Sequence, residues 1–207
     1  MTFLSRGVLA LLALLSLSSP CAAKYLPLDL YDMLGSSDLV VVGTIVELGD
    51  EAFVLKVETR IAGAEGQETV EVLRFKDWPC AVRWTPYAVG QRVLVCAVRV
   101  KDKDGVERLK LRSGGGEGEM PIEDGKLRLR GRGAPDAAPG KNPLPLDQAL
   151  ETIRAFRRCF KLTLAREVYP QLDTVEQTAT AEELAAFRAS SPLADALAGA
   201  ALAHEGR

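Results

Sequence analysis

Four aromatic side chains, Phe75, Trp78, Trp84 and Tyr87, fall within thirteen residues, and Arg83 stands between the two tryptophans. Tryptophan, tyrosine and arginine concentrate in binding hot spots, because they combine large apolar area with directional hydrogen bonding. Trp78, Arg83, Trp84 and Tyr87 are therefore read as a partner- or glycan-binding loop. The same composition fits a structural role in which the tryptophans plug the end of a barrel.

A second set is basic. Lys126, Arg128, Arg130 and Arg132 alternate along one segment, and Arg154, Arg157, Arg158 and Lys161 share one face of a helical pattern. Arg128, Arg130, Arg157 and Arg158 are candidate contacts for an anionic, envelope-associated polymer. The alternative is a solvated surface offset by acidic residues further along the chain.

Catalytic chemistry is poorly served. The single histidine, His204, lies four residues from the end in a segment expected to be peripheral, and Ser113 has no base nearby in sequence. The carboxylate pairs Asp102/Asp104 and Glu117/Glu119 have no neighbours in sequence that would tune them for proton transfer. Gly114, Gly115, Gly116 and Gly118 lack the Gly-Lys-Ser/Thr ending of a phosphate loop and read as a flexible hairpin. The expectation is a protein that is not an enzyme and takes no cofactor and no metal.

The N-terminal segment points to export. Residues 1–23 carry one charge, Arg6, then the apolar stretch Val8 to Leu17, and end in Cys21-Ala22-Ala23. This is the pattern of a signal peptide cleaved after Ala23, and Pro20 argues against lipidation at Cys21. Ten apolar residues are too few for a bilayer core of ~30 Å, which takes about 20 helical residues. No later segment is long enough either, so no transmembrane segment is expected after cleavage. Removing 1–23 takes away Arg6 and Cys21, leaving 184 residues with 25 basic and 28 acidic side chains, a net charge of −3. The expected location is periplasmic or extracellular. The expected partner is a protein or an envelope component, with nucleic acid excluded by the charge balance. Of the remaining cysteines, Cys96 sits inside an apolar strand as a small hydrophobe. Cys80 and Cys159 are left as the candidate disulfide, and their spacing has no zinc-site form.

The elements that must position these groups are mainly strands. Leu28 to Gly35 suits a short helical segment. Leu39 to Leu48 is a β-branched run with Gly43 inside it, where a bulge or bend is expected. Phe53 to Ile61 alternates as a half-buried strand does, Glu68 to Phe75 follows, and Arg92 to Val100 is the most apolar strand and should be central. Val106 to Arg112 and Lys126 to Arg132 complete five or six strands, a small barrel or sandwich. After a linker over 133–145, a helix over 147–160 with Asp147 as N-cap should dock Leu150, Ile153, Phe156 and Phe160 on the barrel. Within the tail, Thr180 to Glu183 forms a capping box and Pro192 opens a further helix.

The stretch Ser37-Asp38-Leu39-Val40-Val41-Val42-Gly43-Thr44-Ile45-Val46, the strand Phe53 to Ala62, and Cys80 followed by Tyr87 to Val95 resemble bacterial secreted proteins of the netrin-like, tissue-inhibitor-of-metalloproteinase-like group. The resemblance spans about residues 37–100 and implies an OB-type barrel. It does not carry protease inhibition with it. Those inhibitors chelate zinc through an N-terminal cysteine, whereas the expected N-terminus here is Lys24.

The expected architecture is mainly β with C-terminal helices: a five- to six-stranded OB-like antiparallel barrel, a packing helix and a helical tail. Residues 1–23 form the signal peptide, 24–160 the barrel domain, and 161–207 an acidic, partly flexible tail. The expected function is that of an exported, non-enzymatic binding protein. Inhibition of an exported metalloprotease and binding of an anionic polymer are the alternatives.

Overall fold

The structure, a computed structural model, describes residues 27–112, 116–134, 143–165 and 171–205. The expected signal peptide, Ser113 to Gly115 and most of the expected 133–145 linker lie outside these residues.

Helix α1 (Leu30–Ser36) leads into β1 (Leu39–Leu48), β2 (Ala52–Ala62), β3 (Thr69–Leu73), β4 (Arg92–Lys101) and β5 (Glu107–Leu111). These five strands close in the order β1-β2-β3-β5-β4, with β4 returning to β1. The protein is an OB-like barrel with C-terminal helices. The barrel is mixed rather than wholly antiparallel, because β3 and β5 run parallel through Val72↔Leu109 and Leu73↔Lys110.

Strands β1 and β4 are long apolar runs for a reason the pairing makes plain. On β1, Leu39, Val41 and Ile45 point into the barrel with Phe53, Leu55, Val72, Val93 and Val95. Val40 and Val42 point outward and join Leu94 and Cys96 against the helices. A strand buried on both faces has no polar face to alternate. By contrast, β2 is covered mainly on its inner side and keeps its alternation from Phe53 to Glu58.

The expected irregularity at Gly43 is present as a register shift between Val42 and Gly43 in the β1–β2 ladder. A Cβ there would sit 2.3 Å from the Lys56 carbonyl oxygen and 2.7 Å from Leu55 Cγ. The backbones thus approach more closely than any side chain permits.

Beyond β5 the structure departs from the sequence reading. Strand β6 (Glu119–Glu123) adds to β4 through Val93↔Pro121 and Val95↔Glu119. A segment with two glutamates and a proline has little intrinsic strand character, and its pairing with the most apolar strand overrides that. The strand expected over Lys126 to Arg132 is reduced to β7 (Lys126–Leu127), which pairs with β8 (Leu144–Pro145). Helix α2 (Leu146–Cys159) starts one residue early, with Pro145 rather than Asp147 at the N-cap. Asp147 instead lies in the first turn, where its charge complements the helix dipole.

The tail is neither peripheral nor wholly helical. Strands β9 (Phe160–Ala165) and β10 (Gln171–Gln177) form a two-stranded sheet, followed by α3 (Ala181–Ser190) and α4 (Pro192–Glu205). Leu184, Phe187, Leu193, Ala194, Leu197, Ala198 and Ala201 are buried in the cluster that holds α1 and the outer faces of β1 and β4. Residues on both sides of the boundary placed at 160 therefore share one core. The tail holds few large apolar side chains, but alanine and leucine suffice where helices approach closely. The capping box is formed: Glu183 N–H donates to Thr180 Oγ1 at 3.2 Å, and Thr180 N–H donates to Glu183 Oε2 at 2.8 Å. His204, placed in a loose tail by the sequence reading, lies within 3.1 Å of the Tyr31 hydroxyl on α1.

Candidate functional site

The aromatic segment between β3 and β4 closes one end of the barrel. Arg83 is its centre. Its side chain is 2% exposed and faces Glu119 on β6, which is 0% exposed. Arg83 Nε donates to Glu119 Oε2 at 3.0 Å, and Nη2 donates to Oε1 at 2.5 Å, a fork-on-fork pair. The remaining donors reach Gln91 Oε1 at 2.9 Å and the Thr85 carbonyl at 2.5 Å. The Arg83 backbone N–H donates to Asp77 Oδ1 at 2.8 Å. Burying a guanidinium is costly unless its charge and its donors are met; here Glu119 meets the charge, and four of the five side-chain N–H groups have acceptors.

Two rings enclose this guanidinium. Its Cζ lies 3.8 Å from the Tyr87 ring centroid and 4.4 Å from that of Trp84. Such contacts add cation–π attraction in a site where water competes little. Tyr87 stacks at 5.5 Å on Phe53 of the barrel interior, and its hydroxyl accepts the Phe75 N–H at 2.9 Å. Burial, then the charge of Glu119, pushes the Tyr87 phenol well above its usual range, so it stays neutral. Trp84 Nε1 is buried and finds no hydrogen-bond partner among the described residues.

The four loop residues singled out from the sequence thus divide. Arg83, Trp84 and Tyr87 are internal: they plug the barrel end. Trp78 faces out, 39% exposed, together with Val82 at 63% and Val89 at 62%. Trp78 and Ala81 exchange backbone hydrogen bonds of 3.0 and 2.9 Å, which holds Pro79 and Cys80 at the tip of a tight turn. A cleft of about 550 Å³ lies alongside, lined by Asp50, Arg74, Phe75, Val82, Pro86 and Tyr87 among others.

The candidate disulfide is not formed. Cys80 is an exposed thiol on this turn, whereas Cys159 is buried in the helix-side cluster, so the two belong to different parts of the fold. Cys96 is the buried small hydrophobe expected, and burial pushes its thiol up to about 12. Cys159 is also pushed up by burial.

The basic residues do not form one array. Arg128 lies 3.5 Å from Glu123, and Arg132 pairs with Asp29. Arg130 is half-buried. Arg157 turns inward and donates to the carbonyls of Leu34 and Gly35 at 2.6 and 2.9 Å, closing the C-terminal end of α1. Burial holds its guanidinium below the usual arginine range. Of the four candidates, Arg158 alone is fully on the surface.

Sequence reasoning missed Glu119, Gln91 and Arg74. Glu119 was weighed only with Glu117, its neighbour in sequence. Its partner is 36 positions away, a separation at which local spacing holds no signal. A second buried pair was missed for the same reason. Arg112 Nη2 donates to Asp32 Oδ1 and Oδ2 at 3.1 and 3.0 Å, fixing α1 to the end of β5.

No protein-family model and no curated protein matches this chain. A solved structure described as "Crystal structure of putative exosome complex RNA-binding protein" is similar over 83% of this chain and 96% of that one, at 16% identity and a TM-score of 0.26. The printed description of that neighbour is of an RNA-binding protein, opposite to the expectation that nucleic acid is excluded. The exclusion rested on net charge, which averages over the surface and leaves local distribution open. The expected partner class, a protein or envelope component to the exclusion of nucleic acid, is not carried forward. A likeness of this size carries no argument about what this chain binds.

Proposed function

We propose that this chain is an exported, non-enzymatic binding protein whose ligand-contacting surface is the outer side of the 74–91 segment at the barrel mouth. One observation carries the reading. The segment has almost no regular secondary structure, yet its conformation is pre-set from below by the Arg83–Glu119 pair and its two rings. A loop fixed in this way loses little entropy when it binds, which is the benefit of preorganisation. What it holds outward is Trp78, Val82 and Val89. Export is supported by the pattern of residues 1–23. The non-enzymatic part is supported by two buried carboxylates, Glu119 and Asp32, each of which is held by an arginine rather than left to move a proton.

The test uses the mature chain immobilised on a support and exposed to an envelope extract. Retained protein, nucleic acid, glycan and lipid are quantified for the natural chain and for Trp78→Ala with Val82→Ala. Both side chains are outside the core, so the thermal midpoint is expected to stay within a few degrees. A retained species should fall at least tenfold, the loss expected when an exposed aromatic anchor is truncated. An unchanged set of retained species in a folded double variant removes the mouth from consideration.

A further inference from the structure

Arg74 differs from the other arginine at the mouth. It follows β3, is half-buried, and donates Nη1 to the Gly49 carbonyl at 2.7 Å. Its Cζ stands 4.7 Å from the Tyr87 ring centroid. Arg83, against the same ring, has its charge met by Glu119. Arg74 has no such counter-ion: among the described residues no carboxylate forms an ion pair with it, and its Nε and Nη2 make no hydrogen bond.

Two acids, Asp50 and Asp77, line the same cleft without pairing to Arg74. Asp77 accepts the Arg83 backbone N–H at 2.8 Å, and Glu51 lies 3.8 Å from Lys76. Asp50 lines the same cleft as Arg74, Phe75, Lys76, Val82 and Pro86. A guanidinium that is partly desolvated, held by a carbonyl on one side and a ring on another, has its orientation fixed before any ligand arrives. Its planar fork matches an oxyanion with two parallel N–H···O bonds.

We propose that Arg74 is the anchor for an oxyanion group, carboxylate or phosphate, on the ligand of the mouth cleft, bound through Nε and Nη2. The apolar part of the ligand then lies towards Val82 and Pro86. This inference rests on the mouth being the binding surface.

Arginine Nε–H resonances of the mature, nitrogen-15-labelled chain provide the test. Acetate and inorganic phosphate are titrated separately at constant ionic strength, with chloride as the control. A saturable shift of the Arg74 Nε–H with either anion, and none with chloride, is the expected result. A response to acetate alone assigns a carboxylate, and a response to phosphate alone assigns a phosphate. Arg74→Gln should abolish the response in the neighbouring amides of Phe75 and Val82. Arg74→Lys keeps the charge without the fork and should bind about tenfold more weakly. If the glutamine variant does not fold, the lysine variant decides. No saturable shift with either anion overturns the proposal, and so does an undiminished amide response in the folded variants. Failure here, with the Trp78/Val82 variant still losing its retained species, strikes down the anion anchor and leaves the binding surface standing.

Discussion

The Arg83–Glu119 pair at the barrel mouth and the Arg112–Asp32 pair beneath α1 are nearly equally dry, with side chains 2% and 0% exposed in the first and 2% and 9% in the second. Their surroundings differ. Arg112–Asp32 sits at the end of α1, where Met33 and Leu34 are fully buried against the helix-side core. There the apolar contacts already place the helix, and the pair fixes its rotation, with Ser36 Oγ donating to Asp32 Oδ1 at 2.7 Å. Around Arg83–Glu119 that support is thinner, because the segment it anchors packs Phe75, Trp84 and Tyr87 on the barrel core only as partly buried side chains. Ion pairs are weak contributors where packing has decided the geometry. They become decisive where a loop has little else to hold it.

That contrast can be broken most directly at Glu119. Glu119→Gln keeps the shape and leaves the buried Arg83 charge unmatched, which should cost about 3–5 kcal/mol in chemical denaturation. Hydrogen exchange should accelerate first over residues 76–91, with the amides of α2 unaffected until global unfolding. Simultaneous exchange in both regions would show that the mouth is not a separately held unit. Restoring stability with Arg83→Met in the Glu119→Leu background should recover much of the loss, since an apolar pair of similar volume escapes the desolvation penalty.

A smaller effect is expected on the helix side. Asp32 is 9% exposed against 0% for Glu119, so water reaches an unmatched Arg112 more readily, and Asp32→Asn should cost about 1–3 kcal/mol. Exchange should rise in α1 while the Trp84 and Tyr87 ring resonances stay in place. A loss as large as that of Glu119→Gln would erase the distinction between the two pairs.

The smallest effect concerns an exposed pair that belongs to neither. Glu58 on β2 accepts from Thr44 Oγ1 on β1 at 2.6 Å and from Arg92 Nε on β4 at 2.7 Å. Burial pushes its carboxyl up, but the hydrogen bonds from Thr44 and Arg92 and the neighbouring positive charges outweigh it, and the result lies below the usual carboxylate value. A carboxyl depressed in the folded state stabilises above its unfolded value and loses that contribution as pH falls through the folded one. Glu58→Gln should therefore flatten the loss of stability below the ordinary carboxylate range and leave the neutral limb nearly unchanged. An acid limb as steep as in the natural chain would assign the ladder's acid sensitivity elsewhere.

The legible parts of the fold are those in which one strand or turn declares itself. The alternation from Phe53 to Glu58, the β-branched run through Gly43, and the Thr180-to-Glu183 box are all local patterns with local physical causes. The aromatic loop was legible as a place, through its tryptophans and Arg83. Its orientation was not, because whether Trp78 or Trp84 faces solvent depends on Glu119 arriving from β6. The helix-side core was illegible because α3 and α4 bury small residues whose pattern has little amphipathic contrast.

By itself, then, the sequence determined the strands of the barrel, the starts of the last two helices and the aromatic character of the 75–87 segment, since backbone propensity, capping and hydrophobic period act over a few residues. Tertiary structure alone decided which arginine is buried and which is presented, that Cys80 and Cys159 stay apart, and that the tail completes the core. Each of those outcomes depends on groups tens of residues apart. A charge or a thiol acquires its chemistry from the neighbours that folding brings to it, and no local spacing encodes them.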